Sequence, residues 1–181
     1  MNRACARATP SAITAAIRVT MGRPAQPTAA PIPAFAKAAQ KITWDDLIPP
    51  GVPYSEIIGE GEMDEANDTW NPIYDENATR LNAKLDGAFI KMPGYIIPFD
   101  ISADGVTEFM LVPYVGACIH VPPPPANQLV MVSTAKPWPS DKLWDPVWVT
   151  GTMKTQLQAT DLGQTGYTIT ADEMEVYEWP S

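Results

Sequence analysis

Twenty prolines run through this chain of 181 residues, four of them consecutive at positions 122–125. That constrains the fold more than any other feature. Inside a helix, proline removes a backbone donor and clashes with the preceding turn, whereas strand edges, bends and turns accept it. With six Trp and six Tyr alongside, the composition predicts strands and turns rather than a helical bundle. A 45% share of hydrophobic residues supplies an ordinary core. At roughly 100–200 residues per domain, the length predicts one domain plus a tail.

Charge divides the chain. Arg3, Arg7, Arg18, Arg23, Lys37 and Lys41 are six of the 12 basic residues, and all 21 acidic residues follow Trp44. A domain with so few cations repels nucleic-acid phosphate, so no nucleic acid is expected as a partner. Of the two cysteines, Cys5 lies in the tail and Cys118 in the domain, which argues against a disulfide framework. No run of 18 apolar residues occurs, so no transmembrane segment is expected in the folded domain.

Residues 1–41, rich in Ala, Pro, Thr and Arg, bury too little surface to offset chain entropy and are expected to form a disordered tail or a degenerate export leader. The basic start and Ala34-Phe35-Ala36 suit a leader, while Arg18, Arg23 and the prolines interrupt its apolar region. The Arg-rich, acid-free start also resembles an organelle transit peptide. Residues 42–85 read as an irregular acidic segment with short helices. Thr43 and Asp46 suit a capping box, Pro49 and Pro50 stop the turn, and Trp44 and Leu47 fall on one side of it. Glu56, Glu60, Glu62, Asp64, Glu65 and Asp68 lack the spacing of a calcium loop and read as a solvated connection. Residues 74–85 suit a short amphipathic helix bearing Leu81 and Leu85, closed by the turn at Asp86-Gly87.

From residue 86 to 181 the pattern is that of strands. Residues 88–99 form an apolar run broken at Pro93-Gly94, which reads as a bulge or bend of the kind small barrels use at corners. Further strands are expected at 107–115, 128–134 and 146–158, and the last at 167–170 and 173–179. On the fourth, Val147, Val149 and Met153 alternate with Thr150, Thr152 and Lys154. The expected fold is mainly β: a small five- to six-stranded OB-like barrel with a short helical or irregular N-terminal extension. A β-sandwich is the alternative.

Chemistry gathers at Cys118-Ile119-His120, the only Cys–His pair of the domain. In an extended segment positions 118 and 120 project the same way. Thiolate and imidazole are the ligands that zinc or copper prefers, with further ligands to come from Glu108, Asp100, a second chain or water. Cys118 and His120 are therefore the candidate metal ligands, with zinc the candidate cofactor. A thiol enzyme with Cys118 as nucleophile and His120 as base is a second use of the pair. The plainer use is a small buried thiol beside an imidazole bonded to backbone. The four prolines predict a polyproline rod, either a ligand for an aromatic groove or a stiff wall beside His120. Asn127 and Gln128 carry amides able to bond that rod's carbonyls. Trp138 and Trp144, in the loop 136–145, are expected as exposed aromatics of an interaction surface.

The strings GYIIPFD (94–100), TEFMLVPYVGACIHVPPPPANQLV (107–130), PVWVTGTM (146–153) and GYTI (166–169) resemble the bacterial DUF3299 family over about residues 84–179. Trp44-Asp45-Asp46-Leu47 is similar to its upstream element. The resemblance implies a protein exported in Gram-negative bacteria, periplasmic or membrane-attached, with no established reaction. Some members are encoded beside transporter components linked to metal supply. The expectation is thus a non-enzymatic periplasmic accessory protein that binds a transition metal near Cys118 and His120, partnered by a transport system or another protein. A metal-free interaction module using the polyproline and Trp surface is the alternative.

Overall fold

The computed structural model describes residues 38–65, 69–115, 123–160 and 163–178. Among the described residues are eight strands: β1 (Gln40–Lys41), β2 (Ile57–Asp64), β3 (Thr69–Tyr74), β4 (Phe89–Pro98), β5 (Val106–Val112), β6 (Val130–Trp138), β7 (Val147–Thr160) and β8 (Gly163–Val176). Five of them close into a mixed barrel in the order β4-β5-β6-β8-β7, with β7 returning to β4. β6 and β8 run parallel and the other four barrel pairings are antiparallel. This is the OB-like barrel expected from the sequence; because one sheet closes on itself, the sandwich alternative falls away.

Closure depends on β4. Its first half, Phe89 to Gly94, pairs with β7, and its second half, Tyr95 to Pro98, pairs with β5. The change of partner falls at Pro93-Gly94, where a bend was expected. A Cβ on Gly94 would stand 2.7 Å from Leu111 Cγ and 3.0 Å from the Trp44 ring, so only glycine lets the strand turn this tightly over the core. β1 pairs in parallel with Ile90 and Lys91, on the flank of β4 that β5 leaves uncovered.

Alternation fills the interior. Val147, Val149 and Met153 of β7 point inward with Ile90, Met92, Phe109, Leu111, Val132 and Ile169, while Thr152 and Lys154 are exposed. Each large side chain buried this way contributes about 1.5–3 kcal/mol. A smaller cluster lies outside the barrel, where Met110, Val112 and Leu129 pack with Tyr95, Ile97 and Phe99.

The segment before the barrel differs from its sequence reading. Its acidic stretch contains the β2–β3 hairpin, a separate two-stranded sheet. In place of the short amphipathic helix there are two 3-10 turns, Glu76–Thr79 and Ala83–Leu85, capped by the side chains of Asp75 and Asn82. The expected box at Thr43 is half formed: the Asp46 carboxylate accepts from the Thr43 N–H at 2.7 Å and from its hydroxyl at 3.0 Å. Leu47 is fully buried and Trp44 packs beside it on the core. Tyr167 of β8 ties down the 3-10 turn Asp45–Leu47 and the turn Ala83–Leu85, its hydroxyl donating to the Leu47 carbonyl and accepting from the Asn82 N–H at 2.6 Å. Among the described residues, no helix is long and apolar enough to cross a membrane.

Candidate functional site

Cys118, His120 and Pro122 lie outside the described residues. The two ends of the β5–β6 connection that carries them are described. On the far side, Pro123 resumes the chain and its carbonyl accepts from the Tyr74 hydroxyl at 2.9 Å. Pro124 is buried, and Pro125 has φ −63° and ψ 158°, a polyproline conformation. On the near side stands Tyr114. Burial raises the Tyr74 hydroxyl above its ordinary pKa, and Tyr114 adds to the shift. The far end of the connection is therefore anchored at Tyr74.

The expected amide partners of the prolines are corrected. Asn127 Nδ2 donates to the Asn77 carbonyl at 2.9 Å and the Arg80 carbonyl at 3.3 Å, and Gln128 Nε2 donates to the Trp44 carbonyl at 3.1 Å. Both side chains are buried and donate to carbonyls of the N-terminal turns, of which those of Asn77 and Trp44 also accept from the Arg80 and Leu47 N–H groups. The prolines instead form one wall of a cleft of about 290 Å³. Pro72, Tyr74, Asp75 and Ala78 line it from one side, Pro123, Pro124 and Pro125 from the other. Burial pushes the Asp75 carboxyl up, but hydrogen bonds from Ser55 and Asn77 together outweigh it and hold the group below its ordinary value.

The acids considered as further ligands stand at the opposite end of β5 from this connection. Glu108 is opposite Ser133, and its carbonyl accepts from the Phe99 N–H, next to Asp100. From Glu108 to Val112, where β5 ends, is roughly 13 Å at the ordinary strand rise. Among the described residues, no three His, Cys, Asp or Glu side chains gather as a metal would require.

The two tryptophans separate. Trp138 is not an exposed aromatic: it ends β6, pairs with Val106 and is buried, its Nε1 donating to the Lys142 carbonyl at 3.2 Å. Trp144 is 77% exposed. Beside it runs a groove of about 70 Å³ lined by Tyr95, Ile97, Val112, Val115 and Leu143. Tyr74 was missed from sequence as a positioning residue, because the Pro123 carbonyl it holds lies 49 residues further along the chain.

A family model described as "Protein of unknown function (DUF3299)" matches residues 44–176. Among solved structures, the chain is similar to the crystal structure of a DUF3299 family protein from Pseudomonas aeruginosa PAO1. The two are 38% identical, with a TM-score of 0.64, over 80% of this chain and 100% of that one. Comparison with curated proteins finds no match.

Proposed function

The chain belongs to the DUF3299 family, and from that premise we propose that it is a non-enzymatic periplasmic accessory protein. In this reading it binds a transition metal, zinc, through Cys118 and His120 and works in association with a transport system. Thiolate and imidazole are ligands zinc takes readily, and two ligands leave positions open for water or for a residue of the partner. The observation that supports the reading is the Tyr74 hydroxyl's hydrogen bond to the Pro123 carbonyl, which anchors the far end of the β5–β6 connection. A connection anchored at one end loses less freedom when its donors close on an ion, so less affinity is spent on ordering.

Calorimetric titration of the purified chain with zinc tests this. The wild type is expected to bind zinc, and Cys118→Ser and His120→Ala each to weaken binding by at least about tenfold, the effect that loss of a ligand-ordering contact alone can reach. Equally negligible heats for all three proteins would remove the metal from the reading.

A second, metal-free reading rests on Trp144. An aromatic this exposed, beside an apolar groove, is the kind of residue that anchors interfaces. In that case Trp144→Ala weakens capture of a transport partner and leaves zinc binding as it was.

A further inference from the structure

We propose that the β2–β3 hairpin is a docking arm that takes a cationic, apolar segment of another protein along one of its faces. The proposal stands apart from the zinc reading. Two strands alone are marginal in water, and among the described residues no third strand pairs with this sheet. Even so it displays large apolar side chains: Ile58 and Met63 are 66% and 59% exposed, and Ile57 and Ile73 are close to half exposed.

Cross-strand register places these groups. Met63 pairs with Trp70 and Ile57 with Tyr74, so Ile57, Met63, Trp70, Pro72 and Tyr74 share a face. The Trp70 indole is held over Gly61, with its Nε1 donating to the Glu60 carbonyl at 2.7 Å. A ring fixed beforehand loses little entropy on binding and suits an anchor. The same face runs into the cleft opposite the prolines, which Pro72 and Tyr74 line.

The hairpin's edges are poorly suited to adding a strand. β2 shifts register between Ile57 and Gly59 and again between Gly59 and Glu62, and Pro72 removes a donor from β3. Irregularities and prolines of this kind are how edge strands resist pairing. Among the described residues, Ile57 and Met63 stay exposed on the face.

Charge selects the occupant. Every charged residue between Lys41 and Arg80 is acidic, and Arg80 itself is paired with Glu76 at 3.2 Å. A second copy of the hairpin would bring like charges together, and an anionic lipid surface would be repelled in the same way. A segment with Lys or Arg flanking apolar side chains satisfies both the carboxylates and the exposed Ile and Met side chains.

The test measures anisotropy of a labelled peptide of alternating Lys and Leu on the full-length chain, with a Glu–Leu peptide as control. The wild type is expected to bind the first and not the second. The pair Ile57→Ser/Met63→Ser, and separately Glu60→Lys/Glu62→Lys, should each weaken binding by about tenfold or more, as loss of an anchor or of charge complementarity does. Reversal of the same number of charges at Asp172→Lys/Glu173→Lys, exposed on β8, should change it by less than about threefold. The exposed Glu60/Glu62 pair keeps the test informative if the apolar pair disturbs the hairpin. Absence of binding, equal binding of the Glu–Leu peptide, or an equal loss on reversal at β8 would overturn the proposal. So would a wild-type dimer, seen by sedimentation, that Ile57→Ser/Met63→Ser converts to monomer.

Discussion

Replacing Tyr167 with phenylalanine should cost this domain a large share of its stability without disturbing its packing. The residue is fully buried, and the ring survives the change, so no cavity forms. What disappears is the hydroxyl joining the Leu47 carbonyl to the Asn82 N–H. A buried carbonyl left without a donor costs about 1–3 kcal/mol, and the half-buried Asn82 N–H, which water can reach, adds about 0.5–1 kcal/mol. The sum is about 1.5–4 kcal/mol. At about 3 °C per kcal/mol for a domain of this size, calorimetry at neutral pH should find Tm lowered by about 5–12 °C. A shift within about 2 °C of wild type would refute the view that this hydroxyl holds the N-terminal turns to the barrel. Alkaline pH supplies an independent readout. Burial raises the Tyr167 hydroxyl from the ordinary 10.0 to about 12, so the folded state keeps a proton that the unfolded state releases. This contribution is complete below pH 10 and is lost as pH rises towards 12. Phenylalanine has nothing to titrate, so the stability gap between the two proteins should narrow across that window in urea melts. Tyr54 and Tyr74 are also raised, but they are present in both proteins and cancel in the difference.

Gly94→Ala should destabilise by about 1–3 kcal/mol in chemical denaturation, because its Cβ meets Leu111 and Trp44 inside normal contact distance. Asn127→Ala removes the donor shared by the Asn77 and Arg80 carbonyls; it should cost about 1–3 kcal/mol and speed limited proteolysis near the turn Glu76–Thr79. Trp144→Ala, by contrast, should change stability by less than about 0.5 kcal/mol, since the ring is largely in water. Asp75 has a lowered pKa, so its stabilisation is present above the ordinary 3.8 and lost as pH falls below it; Asp75→Asn should flatten that part of an acid titration followed by circular dichroism.

The barrel was legible where side chains alternate without interruption. Val147, Val149 and Met153 declare a strand with one buried face, and Pro93-Gly94 declares its neighbour's bend. The β2–β3 hairpin was not legible, because two register shifts and the glycines at 59 and 61 break the period of two. Its exposed Ile and Met also carry no burial signal, lying among carboxylates that read as solvated loop. Trp138 was misread because Pro137 and Pro139 flank it like loop residues, while the strand runs through Pro137 to pair Trp138 with Val106. As for the candidate site, the sequence singled out Cys118 and His120 by chemistry alone. Tyr74, which anchors the far end of their connection, acts across 49 residues of chain to Pro123, and no local pattern reports a contact so distant.

Two residues, Gln40 and Lys41, shield the part of β4 that the barrel's own strands do not cover. Where a protease trims the basic tail therefore matters more than how much of it is removed. A cut after Ala36 spares the shield. A cut a handful of residues further on bares the Ile90–Lys91 backbone and removes the donor from Ile42 to the Lys91 carbonyl, turning a sealed flank into a template for a foreign strand.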